Sequence, residues 1–134
     1  MALRSRCPVA FALAGALLVA PAAAPASGGG DGDRREARVS GRCSRGAKSE
    51  LRLRSRDGTI SVRFDVERRR ARERWVVVLV HERRVASRTT LRTRSSGSFR
   101  IERSLDDLDG PDQVTVRGSG PRGITCEASA TLAG

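Results

Sequence analysis

From Leu51 onward, apolar side chains recur at every second position: Leu51 and Leu53 in ELRLRSR, then Ile60, Val62, Phe64 and Val66 in TISVRFDV. A period of two buries one face of an extended segment and leaves the other in water, so both runs are predicted strands. Between them lies Asp57-Gly58, which tolerates positive φ at both centres of a tight turn and makes the pair an antiparallel hairpin. The pattern continues down the chain. VASRTTLRTR reads as an edge strand, SFRIER sets Phe99 and Ile101 against Arg100 and Glu102, PDQVTVRG keeps Val114 and Val116 in phase, and GITCEASATL keeps Ile124, Cys126, Ala128 and Ala130 on one face. The glycines of RGSGPRG read as turn residues. Near the start, Cys43 is in phase with Val39, so both cysteines are expected to point inward. Seven or eight short antiparallel strands, with turn signals roughly every 8 to 14 residues, predict an all-β sandwich.

The segment VERRRARERWVVVLVHERR, residues 66 to 84, admits two readings. A helix through ERRRARER would have about two turns and only Ala71 to bury, too little to persist in water. It would also run straight into Trp75 to Val80, whose β-branched residues favour extended structure. We therefore expect Glu67 to Arg74 to be a solvated connection between two strands, with a short helix as the alternative.

The N-terminus sets the expected compartment. MALRSRCP carries two arginines and no acid, and it is followed by the apolar run Val9 to Ala20 and by small residues in PAAAPAS. That is the layout of a signal peptide, with cleavage expected after Ala26 and neighbouring alanines as alternative sites. A membrane span needs roughly 20 apolar residues, more than this run offers, and no later stretch matches it. We assign 1–26 to the signal, 27–37 to a disordered leader without apolar side chains to bury, and 38–134 to one domain. Removal of the signal takes Cys7 with it. In an oxidising space the remaining Cys43 and Cys126 are expected to pair, closing a loop of roughly 84 residues worth about 4.5 kcal/mol in the chain-entropy model.

The chain holds 26 basic and 15 acidic residues, a formal net charge of +11. Lys48 is the only lysine, while tyrosine and asparagine are absent. Part of this skew matches the codons of a GC-rich genome, yet a cationic secreted chain is drawn to polyanions whatever the origin of its charge. Arg68, Arg69, Arg70, Arg72 and Arg74, with Arg83 and Arg84, are the candidate polyanion-binding residues. Sequence-specific nucleic-acid binding is not predicted, because Phe64 and Phe99 are in phase with the core instead of exposed for stacking.

Candidate chemistry is sparse. His81, the single histidine, follows a strand in a charged setting and reads as solvated. Ser96 and Ser98 lie in a turn without a neighbouring base, and no GxSxG is present. SLDDLDGPD concentrates Asp106, Asp107, Asp109 and Asp112, but counting back from Gly110 puts Leu105 first in a calcium loop and leaves no acid at its end. These aspartates read as a polar crossover between sheets, paired with arginines. No catalytic residue, metal ligand or cofactor is predicted.

Cys43, ISVRFDV, Trp75 in WVVVLV, SSGSF, DGPDQVTV and Cys126 together resemble small secreted proteins of high-GC Gram-positive bacteria with an immunoglobulin-like or fibronectin-III-like sandwich. The resemblance implies an antiparallel immunoglobulin-like β-sandwich of seven or eight strands with Trp75 in its core, and it implies no activity. The expected function is a non-enzymatic secreted or cell-envelope-associated binding or structural module with an unknown partner, an acidic envelope polymer or a protein. Arginine-mediated binding of wall polymer, lipid headgroups or nucleic acid is one alternative; a secreted protease inhibitor is another.

Overall fold

The computed structural model describes residues 34–134, so the signal assigned to 1–26 and most of the leader lie outside it. Nine strands follow in order: β1 (Arg35–Ser40), β2 (Arg42–Cys43), β3 (Lys48–Arg56), β4 (Thr59–Glu67), β5 (Arg74–His81), β6 (Arg84–Arg92), β7 (Ser98–Asp106), β8 (Asp112–Ser119) and β9 (Thr125–Leu132). A single 3₁₀ turn at Pro121–Gly123 links the last two. The strands form two antiparallel sheets, β1-β3-β4-β7 and β2-β9-β8-β5-β6. Strand β1 begins at Arg35, inside the 27–37 segment expected to be a leader.

Each strand is placed by its alternation. Ile60, Val62, Phe64 and Val66 of β4 are buried, as are Trp75, Val77 and Leu79 of β5 and Val114 and Val116 of β8. These inner faces meet in one apolar core, where the Phe99 ring lies 5.2 Å from Trp75 and 6.4 Å from Phe64. Asp57 and Gly58 have φ of 52° and 74°, as a two-residue hairpin with right-handed strand twist requires. Residues 68 to 73 connect the sheets without a helix, and β6 is an edge strand.

Nine strands form, against the seven or eight expected, because the first predicted strand changes sheets at Gly41. β1 pairs with β3, whereas β2 pairs with β9. A Cβ at Gly41 would sit 2.1 Å from Ser49 Oγ and 2.8 Å from the Glu127 carbonyl, so only glycine lets the chain pass between the sheets there. The switch delivers Cys43 directly opposite Cys126, with 4.1 Å between Cα atoms, and the two form a disulfide. Cys126 is buried and Cys43 is partly so.

Two glycines of RGSGPRG do something other than turn the chain. Gly118 lies within β8, and a Cβ there would be 3.2 Å from the Trp75 ring; at Gly120 it would be 2.6 Å from it. They are the flat surface against which the indole lies.

A candidate polyanion-binding end

Successive connections between these antiparallel strands alternate between the two ends of the sandwich. The β2–β3, β4–β5, β6–β7 and β8–β9 connections share one end, which is verified by contacts among them: Arg68 Nη1 donates to the Arg45 carbonyl at 3.0 Å, Arg68 N to the Gly97 carbonyl at 2.9 Å, and Arg122 Nη2 to Glu73 Oε1 at 3.0 Å. These four loops carry Arg45, Arg68, Arg69, Arg70, Arg72, Arg94 and Arg122 against the one acid Glu73. The β3–β4, β5–β6 and β7–β8 loops at the other end carry Asp57, Glu82, Asp107 and Asp109 against Arg83. Charge is thus divided by the parity of the loops.

The β4–β5 loop is held from below. Buried Thr93 accepts from Glu73 N at 2.9 Å and donates to the Arg70 carbonyl at 2.6 Å, while its own backbone N–H bonds Glu73 O and its carbonyl accepts from Arg72 N. Gly97 lies so close that a Cβ would stand 2.3 Å from Arg70 N. Arg92 Nη1 adds a bond to the Arg72 carbonyl at 3.1 Å. Arg69 and Arg72 take left-handed backbone conformations, φ 59° and 58°. That costs non-glycine residues on the order of 1 kcal/mol each, which this hydrogen-bond frame offsets.

The seven candidate arginines fall into three groups. Arg69, Arg70, Arg72 and Arg74 are exposed at the braced end. Arg68 is not available: its side chain is 11% exposed and its guanidinium lies 3.5 Å from Glu73 while holding the Arg45 carbonyl. Arg83 and Arg84 are exposed but sit beyond His81, at the far end of β5, so the seven candidates do not share one end of the sandwich. Arg45, Arg92, Arg94 and Arg122 take their place beside the loop. Sequence proximity hid them; loop parity would have found them.

At the opposite end, two further readings change. His81 is not solvated: its Nε2 lies 2.6 Å from Asp112 Oδ1, and the Asp112 side chain is wholly buried. Asp107 does meet an arginine, with Arg35 Nη2 at 2.8 Å, and it also accepts from the buried Ser55 hydroxyl. The Ser55 hydrogen bond, aided by Asp112 and the Arg35 charge against a smaller desolvation penalty, holds the Asp107 carboxyl below the usual carboxylate range. The alternation contained this signal. Arg35, Ser55, His81 and Asp112 all continue the inward phase of their strands, and together they close the core with polar groups.

Ser96 and Ser98 bond each other at 2.7 Å at the arginine end, a full strand length from His81. No protein-family model, curated protein or solved structure matches the chain.

Proposed function

We propose that this is a secreted or cell-envelope-associated, non-enzymatic binding module that engages acidic polymers through the arginine-bearing end of its sandwich. The observation that carries this reading is the loop frame built on Thr93, which fixes the backbone of the β4–β5 loop while its Arg69, Arg70 and Arg72 stay exposed to water. A fixed loop loses less conformational freedom on binding than a mobile one. Arginine's planar fork suits phosphate and carboxylate oxygens. The exposed aromatic platforms used to read single-stranded bases are missing from the described residues, since Phe64, Trp75 and Phe99 are buried. Recognition would therefore follow charge density and spacing instead of base identity.

A protease inhibitor would present an extended peptide segment to the enzyme cleft, and the left-handed Arg69 and Arg72 break such a segment. The polymer reading is preferred on that ground. Its test compares retention on immobilised polyphosphate across a salt series. The triple variant Arg69→Ala/Arg70→Ala/Arg72→Ala is expected to elute at markedly lower salt than the parent, and Arg83→Ala/Arg84→Ala close to it. Equal loss in the two variants would reduce the effect to net charge.

A further inference from the structure

The end of the sandwich away from the arginines holds a cluster that the polymer-binding reading does not use. His81, Glu82 and Asp112 each offer a ligand atom, and all three atoms lie within 4.8 Å of one another. His81 and Asp112 come from the ends of adjacent paired strands, β5 and β8. Glu82 opens the β5–β6 turn, where its backbone N–H bonds the Gln113 carbonyl at 3.1 Å and its carboxylate accepts from Gln113 N. Two strands and a hairpin turn thus fix three donors without any of them lying on a free loop.

Proximity of acids alone means little, but Asp112 is unusual. Its side chain has no exposure, and its Oδ2 receives no hydrogen bond. His81 meets only its Oδ1, and a buried carboxylate oxygen left without a partner is costly. The facing groups are the carboxylates of Asp107, Asp112 and Glu82, the Arg35 guanidinium and the His81 imidazole. With a neutral imidazole, the three acids exceed the one cation by two charges.

We propose that His81, Glu82 and Asp112 form a site for one divalent transition cation, with Zn²⁺ as the best match. One imidazole nitrogen with carboxylate oxygens suits Zn²⁺, Co²⁺ or Mn²⁺ better than Ca²⁺, which favours six or more oxygens. Ligands held about 2.1 Å from a common ion lie about 3–4 Å apart, which the 2.6 Å His81–Asp112 contact reaches by opening slightly, while no pair of the three has to close from beyond 4.8 Å. The ion would supply the positive charge that the acids lack. A surface cleft bordered by His81, Glu82, Arg84, Leu108, Asp109 and Pro111 gives access from solvent, and water would complete the coordination.

The sequence contains one histidine, so the imidazole NMR spectrum reports this site alone. Untagged protein is titrated calorimetrically with ZnCl₂ and, separately, CaCl₂, while the ring ¹⁵N shifts of His81 are followed. The expected result is one Zn²⁺ per chain, no competing heat from Ca²⁺, and a large shift of one ring nitrogen. Asp112→Asn risks the fold, so the half-buried partners are varied instead: His81→Gln and Glu82→Gln should each weaken Zn²⁺ by about tenfold or more while keeping the strand signature in circular dichroism. Absence of heat at millimolar Zn²⁺, unmoved His81 shifts, or parental affinity in His81→Gln would each overturn the proposal.

Discussion

Trp75 shows how one side chain organises its surroundings. Its ring is fully buried between Phe99 and the bare backbone at Gly118 and Gly120, and its Nε1 has no hydrogen-bond partner. Trp75→Ala should cost about 3–5 kcal/mol in urea unfolding through the cavity it leaves. Trp75→Phe should cost less than Trp75→Ala, because it opens a smaller void. Burial of Trp75 was legible from its place at the head of an apolar run. The role of Gly118 and Gly120 was not, since a glycine that makes room for a ring and a glycine that bends the chain look alike in sequence. His81 was misplaced for a different reason. Its charged neighbours suggested water, although its even spacing from Trp75, Val77 and Leu79 pointed inward. Thr93→Val keeps the volume of Thr93 but strips two hydrogen bonds from a buried frame; a loss of about 1–3 kcal/mol is expected, read in the same unfolding measurement.

Among the elements, alternation made most of the strands and the Asp57-Gly58 hairpin legible, because period two is a property of a few adjacent residues. The sheet change at Gly41 was not legible. It depends on Ser49 and Glu127 crowding that position from strands distant in sequence. Its energetic consequence is carried by the disulfide. Cys43 and Cys126 are 83 positions apart, and reduction should lower stability by about 4–5 kcal/mol if the reduced strands stay paired in the native state. Comparison of urea midpoints with and without a reductant measures it. The β7–β8 crossover adds a dependence on pH. Since Asp107 ionises below its ordinary value of about 3.8, its contribution is complete above that value and is lost as pH falls through the lower, folded one. Denaturation midpoints should fall in acid below about pH 4, less steeply in Asp107→Asn than in the parent.

For the molecule as a whole, the governing feature is the separation of charge between two ends of one sandwich. Composition revealed the excess of arginine but not its distribution, which depends on the direction of each strand. The consequence is a cation with an electrostatic direction; the proposed approach to a polyanion would be end-on, with attraction that salt weakens over a Debye length of about 8–10 Å. Edge strand β6 leaves Val85 64% exposed, but Arg84, Arg88 and Arg92 stand exposed along the same strand and discourage pairing with another chain.

Arg35, in the first strand, bonds the carbonyl of Ala133, just past the last. Where the backbone enters the sandwich and where it leaves it are therefore neighbours, on the side away from the arginine loops. A fluorescent reporter or a display scaffold fused at Gly134 would project behind the molecule, so a labelled version would leave the arginine loops open to the polymer proposed for them.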